Sequence, residues 1–341
     1  MKKDTILQGD SLEVLKTFPD ESVDCVITSP PYWALRDYGV DGQLGQEKTF
    51  QEYINKLCDI FNEVKRVLKD SGTCWVNIGD TYGGTGDKKD STDPKYKQGR
   101  NGQSIAINKS ATAKSLCQIP SRFAIEMTDR GWILRNRLIW HKPNAMPSSA
   151  KDRFTVDYED VFFFVKRKKY HFETQYEPYA PASYVRYRQA LRASKSYQKK
   201  ELYKNNTPYS GKFNVQNAED FGSPRARYKR GQGSVSSRGD DSDGLVVGGI
   251  NPNGRYKRAV WTIPTKPYKE AHFATYPEKL IEPMIKAGCP VGGIVLDCFF
   301  GAGTTGLVSK KLNRHYIGIE LNPEYIKIAE SRINPINEKS L

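Results

Sequence analysis

The fold is decided by the stretch Asp24-Cys25-Val26-Ile27-Thr28-Ser29-Pro30-Pro31-Tyr32-Trp33, in which an apolar run ends at two prolines and two aromatic residues. Such a run predicts a buried parallel strand that ends in a rigid loop. Because proline has no backbone N–H, the loop is rich in hydrogen-bond acceptors, and Ser29 adds a hydroxyl oxygen. Tyr32 offers a flat face for a planar ligand. A base with an exocyclic amino group fits this loop, although a stiff turn packed by aromatics explains the tetrapeptide alone equally well.

A second strand and loop lie near the other end of the chain, in the stretch Ile294-Val295-Leu296-Asp297-Cys298-Phe299-Phe300-Gly301-Ala302-Gly303-Thr304-Thr305-Gly306. A further strand, Tyr316-Ile317-Gly318-Ile319-Glu320, ends in an acid. The order of strand, glycine loop, helix, strand and acid suits a nucleoside cofactor, because glycines let the backbone approach closely and the acid accepts hydrogen bonds from ribose hydroxyls. Although Gly301, Gly303 and Gly306 have the spacing G-x-G-x-x-G, they do not lead into a basic, phosphate-binding helix start, and no Walker lysine is present. This favours a cofactor without a pyrophosphate.

Together the two stretches resemble the amino-methylating DNA methyltransferases. In that family an (S/D/N)-P-P-Y loop binds the target amine and a D-x-F-x-G-x-G-T loop binds S-adenosyl-L-methionine. The catalytic loop precedes the cofactor loop here, which is similar to the circularly permuted β class. The resemblance implies an α/β fold built on a Rossmann-like methyltransferase sheet that is circularly permuted and carries an inserted target-recognition region.

The resemblance also implies two sets of site residues. The catalytic residues are Ser29, Pro30, Pro31 and Tyr32. The cofactor-binding residues are Asp10, Thr275, Tyr276, Pro277, Lys279, Asp297, Phe299, Gly301, Gly303, Thr304, Thr305 and Glu320. Residues 272–280 are similar to the family's H-x-A-x-(F/Y)-P-x-x-L element. For Asp10, capping of a helix that begins near Ser11 is the competing interpretation.

Further elements near the site are predicted from periodicity and composition. Residues 50–68 place apolar side chains at the helical period, which predicts a core-facing helix. A strand is predicted over residues 72–80, and Asn77 or Asp80 near its end can reach the site. Trp140, at the end of a later predicted strand, and the following His141-Lys142-Pro143 are similar to the family's W-x-K-P beside the target groove. Contact with phosphate is the favoured interpretation of His141, and general base catalysis is the alternative.

The charge of the chain is concentrated in one region. The formal net charge is +14 over 341 residues, and residues 166–230 hold 16 Lys or Arg against 5 Asp or Glu, together with 9 of the 20 tyrosines. Basic side chains interleaved with aromatics favour double-stranded DNA as a partner. We therefore expect three segments: a catalytic half at residues 1–165, a target-recognition insertion at 166–257 and a cofactor-binding half at 258–341. A solvated insertion without a partner is the alternative.

Cysteine spacing argues against a metal-binding or disulfide-bonded protein, and hydropathy argues against a secreted or membrane protein. The six cysteines lie far apart without a C-x-x-C pair, so we interpret them as reduced core residues and expect no metal site. No apolar run of about 18 residues occurs and no signal-peptide core is found, which predicts a cytoplasmic protein without a membrane partner. The polar stretch 83–113 is interpreted as a long loop.

Several functions remain open at this stage. Cytosine N4 is favoured over adenine N6 as the target, because N4 members of the family mostly carry Ser at the position of Ser29. Methylation of RNA or of a protein glutamine would use a similar loop, but usually with Asn before the prolines. A Rossmann oxidoreductase would explain the glycines but not the proline loop, and a non-enzymatic nucleic-acid-binding module would explain only the charge. A cognate restriction endonuclease is a further candidate partner.

Overall fold

The computed structural model describes residues 1–35, 39–84, 111–183, 185–186, 251, 253–265 and 276–337. Within them the strands are β1 (Thr5–Gln8), β2 (Val23–Thr28), β3 (Leu68–Ile78), β4 (Ile133–His141), β5 (Tyr158–Val165), β6 (Tyr176–Glu177), β7 (Arg255–Tyr256), β8 (Val260–Thr262), β9 (Ile294–Asp297) and β10 (His315–Glu320). The helices are α1 (Ser11–Lys16), α2 (Phe50–Val67), α3 (Ile119–Asp129), α4 (Glu278–Gly288), α5 (Thr304–Lys311) and α6 (Pro323–Asn337). Thr275 and most of the predicted polar loop and insertion lie outside these residues.

Eight of the described strands form one sheet in the order β1-β10-β9-β2-β3-β5-β4-β8. Strand β5 runs antiparallel to β3 and β4, and the other neighbouring pairs are parallel. In the centre, β2 pairs directly with β9, with Cys25 opposite Val295 and Val26 opposite Leu296. The two strands that come from opposite ends of the chain are thus neighbours. Their carboxyl ends lie at the same edge of the sheet, where α/β proteins bind ligands.

Alternating side chains of the strands enter two cores on opposite faces of the sheet. In β5, Phe162 and Phe164 belong to one core, whereas Val161, Phe163 and Val165 belong to the other. Helices α2 and α3 cover the first core, and α4 and α5 contribute to the second. Because the central strands are buried on both faces, they read as continuous apolar runs in the sequence.

Helix α2 confirms the helix predicted over residues 50–68. It begins with a capping box, in which Glu52 N donates to Thr49 Oγ1 over 3.1 Å and Thr49 N donates to Glu52 Oε2 over 3.3 Å. One face of the helix is buried: Tyr53, Ile54, Leu57, Cys58, Ile60, Phe61, Val64 and Val67. All six cysteines of the chain are buried and unpaired, as interpreted from their spacing.

Thr174–Arg258 form a second compact unit, and the remaining residues form the first. In the second unit β6 pairs antiparallel with β7, and the rings of Tyr176 and Tyr256 stack with centroids 5.6 Å apart. Residues 166–173, which the sequence analysis placed in the insertion, belong to the first unit, where Phe172 stacks on Phe163. None of the described helices is long and apolar enough to cross a lipid bilayer.

Gly303, which precedes α5, is expected to be essential for packing. Its φ is +76°, and a Cβ built on it would lie 2.7 Å from the Cβ of Ala329 in α6. Gly292 has almost the same φ, +75°, but no atom within 4 Å of its Cβ position. We expect Gly292→Ala to cost about 1–2 kcal/mol from left-handed strain alone. Gly303→Ala should cost roughly 1–3 kcal/mol more because of overpacking.

Urea unfolding of the two variants measures this difference, and Gly292→Ala is the matched control for the strain. Equal losses of stability in both variants would contradict a packing role for Gly303.

Candidate active site

One cavity of about 540 Å³ opens at the carboxyl edge of β2 and β9. The catalytic loop follows β2 and the cofactor loop follows β9, so the pairing of these strands brings both loops to the same cavity. Its walls include ten residues of the predicted site: Asp10, Ser29, Pro30, Pro31, Tyr32, Tyr276, Phe299, Gly301, Thr304 and Glu320. Pro277, Lys279, Asp297, Gly303 and Thr305 are not among its walls, and Thr275 lies outside the described residues.

The catalytic loop is fixed by contacts on both of its flanks. Tyr53 of α2 donates a hydrogen bond to the Pro31 carbonyl over 2.8 Å, and the Trp33 indole donates to the Glu47 carbonyl over 3.0 Å. The Tyr32 ring lies against the backbone of Gly79, where an added Cβ would be 2.4 Å from a ring carbon. The rigid loop predicted from the two prolines is therefore held from the helix side and from the sheet side.

The Tyr32 hydroxyl joins a polar group that the sequence analysis largely missed. It donates to Glu159 Oε2 over 2.8 Å, and Asn77 Nδ2 donates to the same oxygen over 3.1 Å. Lys142 pairs with the other carboxylate oxygen, Oε1. All four residues line the cavity. Burial and the neighbouring carboxylate of Glu159 raise the pKa of Tyr32, so its hydroxyl stays protonated as a donor.

Glu320, at the end of β10, is held by the loop that follows β9. Gly301 N donates to Glu320 Oε2 over 2.7 Å, and Asn322 N donates to Oε1 over 2.8 Å. Burial raises the pKa of Glu320, while these backbone donors lower it in part. Each carboxylate oxygen keeps capacity for a second hydrogen bond, which a ligand hydroxyl in the cavity can supply.

Asp297 lies beneath the cavity and is not one of its walls. Its side chain has no solvent exposure. Oδ1 accepts from the Thr28 hydroxyl over 2.6 Å and from Phe299 N over 3.1 Å, and Oδ2 accepts from Tyr276 over 2.7 Å and from Thr305 over 2.6 Å. Burial raises the pKa of Asp297, although the hydroxyl donors act in the opposite direction. Asp297 and Thr305 therefore join the end of β2, the end of β9 and the start of α5 to each other.

Three further residues of the predicted cofactor set are not among the walls of the cavity. Gly303 packs against α6, Pro277 precedes α4 as a buried cap residue, and Lys279 is exposed on that helix. Asp10 caps α1, accepting from Leu12 N over 2.9 Å, and it also lines the cavity. Ser11 does not cap the helix, since its hydroxyl donates to the Cys298 carbonyl over 2.6 Å.

The contacts of Asp80 and His141 show how each side chain lies relative to the cavity. Asn77 reaches the cavity, whereas Asp80 accepts from Ile119 N at the start of α3 over 3.0 Å. His141 is not a wall of the cavity, and its Nδ1 lies 3.1 Å from Thr262 Oγ1. This position gives no support to general base catalysis by His141.

Comparison with known proteins agrees with this geometry. A family model of N6 and N4 methyltransferases, described as DNA methylase, matches residues 23–331. The chain belongs to this family. The type II methyltransferase M.Cfr9I of Citrobacter freundii is 37% identical over 331 residues, which are 96% of this chain and 87% of that relative. M.XycI of Xanthomonas campestris pv. cyanopsidis is also 37% identical, over 99% of this chain and 90% of its own length.

Solved structures confirm the predicted methyltransferase fold. PvuII DNA methyltransferase, described as cytosine-N4-specific, has a TM-score of 0.56 at 21% identity, with 99% of this chain and 93% of that chain covered. A DNA modification methylase of Thermus thermophilus, solved with S-adenosyl-L-methionine, has a TM-score of 0.52 at 20% identity, with 97% and 93% covered. At these identities the likeness concerns the fold.

The role of Asp297 as a support can be tested by substitution. Asn offers one acceptor oxygen to four donors, so Asp297→Asn leaves buried hydroxyls unsatisfied. We expect a loss of about 2–4 kcal/mol of stability in urea unfolding. The control is Asp20→Asn, whose side chain is 73% exposed and pairs with Arg66. That change should cost less than about 1 kcal/mol. Equal stability of Asp297→Asn and the native chain would refute the supporting role.

Proposed function

We propose that this DNA methylase transfers a methyl group from S-adenosyl-L-methionine to the exocyclic N4 of a cytosine in duplex DNA, at a specific sequence and after base flipping. One observation carries the proposal. The catalytic loop of Ser29 to Tyr32 and the cofactor loop held by Glu320 follow neighbouring parallel strands and line a single cavity. A methyl donor and an amine bound at the two loops would meet inside it.

The described residues fit the methyl donor. The cavity volume of about 540 Å³ lies within the usual range for small-molecule sites. Glu320 is placed to accept from ribose hydroxyls, and Phe299 supplies an apolar wall. When bound, the cofactor would supply a methyl group on a sulfonium, with a neutral thioether as the leaving group.

On the target side, the chain must orient a poor nucleophile. The lone pair of the exocyclic amine is delocalised into the base, so acceptors for its two N–H groups favour a more tetrahedral nitrogen. The Ser29 hydroxyl and the Pro30 carbonyl are the acceptors that we assign to this task. The amine proton is lost during or after transfer. No covalent attack on the ring is needed, in contrast to methylation at a ring carbon.

A duplex hides the amine, so the base must leave the stack at a cost of a few kcal/mol. Stacking on Tyr32 recovers about 1–3 kcal/mol. Phosphate contacts supply the remainder, and we assign them to the insertion at residues 166–257, where basic residues and tyrosines are concentrated. The relatives named type II methyltransferases favour a restriction-modification role, with a cognate endonuclease as partner.

The choice of cytosine N4 rests on Ser29, since the family's adenine-methylating members mostly carry Asp at this position. We expect DNA treated with the protein and cofactor, digested to nucleosides, to yield N4-methyldeoxycytidine in mass spectrometry. Ser29→Ala removes the hydroxyl acceptor and should slow transfer by about 10–1,000-fold. N6-methyldeoxyadenosine as the sole product would assign adenine instead, and no methylated base at all would contradict the proposed function.

A second prediction concerns Glu320 and pH. Its raised pKa means that the carboxylate starts to protonate above the ordinary Glu value of 4.5. Cofactor affinity should therefore be complete above the raised pKa and fall as pH is lowered through it, because protonation removes a charged acceptor. Glu320→Gln should weaken binding by roughly 1–3 kcal/mol and flatten the pH dependence.

Calorimetric titration across this pH range measures both effects, with Glu282→Gln on the exposed side of α4 as a control. An unchanged cofactor affinity in folded Glu320→Gln would remove Glu320 from the site.

A further inference from the structure

Glu159 and Lys142 form an ion pair in the cavity that the proposed chemistry does not use. Each side chain is only 18% exposed. Glu159 lies near the start of β5 and Lys142 directly follows β4, where its ammonium group lies 4.3 Å from the centroid of the Trp140 ring. A largely desolvated ion pair is costly unless its hydrogen-bonding capacity is used. The contacts of the carboxylate show how that capacity is used here.

Glu159 Oε2 receives two donors, the Tyr32 hydroxyl at 2.8 Å and Asn77 Nδ2 at 3.1 Å. Asn77 is itself fixed, since Nδ2 also donates to the Asp160 carbonyl over 3.1 Å. The Tyr32 hydroxyl is therefore held by Glu159 and, over 3.3 Å, by Asn77 Oδ1, while its ring lies against the backbone of Gly79. Because the phenolic oxygen lies on the axis about which the ring turns, the hydrogen bond to Glu159 fixes the direction of that axis, and the Gly79 backbone restricts rotation about it.

We propose that Glu159, neutralised by Lys142, is a positioning residue that holds the Tyr32 ring in the orientation on which the flipped base stacks. This inference rests on the proposed function. Lys142 pairs with the carboxylate and cancels a charge that would otherwise face a neutral base. Residues held by such hydrogen bonds keep a reacting group within the narrow range of geometries that transfer requires.

Substitution of Glu159 tests whether it acts by positioning Tyr32 or in some other way. Glu159→Gln keeps the size of the side chain, but its single acceptor oxygen cannot serve Tyr32, Asn77 and Lys142 as the carboxylate does. Tyr32→Phe keeps the ring and removes only the hydroxyl. If Glu159 acts through that hydroxyl, both variants break the same link, and the double variant loses nothing further.

The test is a double-mutant cycle with Glu159→Gln, Tyr32→Phe and the double variant, assayed by transfer of labelled methyl to unmethylated genomic DNA. We expect each single variant to lower the single-turnover rate by up to about a hundredfold. The double variant should match the slower single variant, and cofactor affinity in calorimetry should stay within about twofold of the native value. Glu282→Gln, which breaks an exposed ion pair with Lys286, is the matched control and should be unchanged.

Two results would overturn the inference. Multiplicative losses in the double variant would show that Glu159 acts independently of the Tyr32 hydroxyl. A fall in cofactor affinity that parallels the fall in rate would show that Glu159 supports the fold of the whole cavity. Either result leaves the proposed function intact as long as the native protein methylates DNA, whereas a native protein without transfer activity would refute the proposed function itself.

Discussion

The buried carboxylate of Asp297 is the interaction on which the site depends. It has no exposure to solvent, and its four donors come from β2, from the segment before α4, from the cofactor loop and from α5. A desolvated carboxylate is tolerated only when donors replace water, so these segments are held together around it. Because Thr28 directly precedes Ser29, and Phe299 begins the cofactor loop, a single side chain sets the distance between the two loops.

The order of elements along the chain matters less than the pairing of strands. The two loops stand at opposite ends of the sequence, yet β2 and β9 are hydrogen-bonded neighbours in the sheet. Strand β1, near the amino terminus, pairs with β10, which lies near the carboxyl terminus. A circular permutation therefore leaves the cavity unchanged, since ligands at this edge contact strand ends and loops and not the connections at the opposite edge.

Contiguous motifs could be predicted, and dispersed contacts could not. Ser29 and Tyr32 could be assigned to the cavity from the sequence because the loop is a continuous stretch, and Glu320 because an acid ends a strand after a glycine loop. The burial of Asp297 could not be predicted, since a motif does not distinguish a wall of the cavity from the support beneath it. Glu159 was missed because β5 is antiparallel, so that its amino end, rather than its carboxyl end, lies at the active edge. The Trp140 and Lys142 motif was the available indication.

The two carboxylates in the cavity differ in a way that matches the two ligands. Glu320 is held by backbone N–H groups of Gly301 and Asn322, which leave its charge in place, and the proposed cofactor carries a positive sulfonium. Glu159 is paired with Lys142, and the proposed target is a neutral base. An unpaired acid near the base would favour a cation there, whereas a neutralised pair supplies directional hydrogen bonds without net charge. The two carboxylates of the cavity thus differ in their surroundings, since backbone N–H groups hold Glu320 whereas an ammonium group neutralises Glu159.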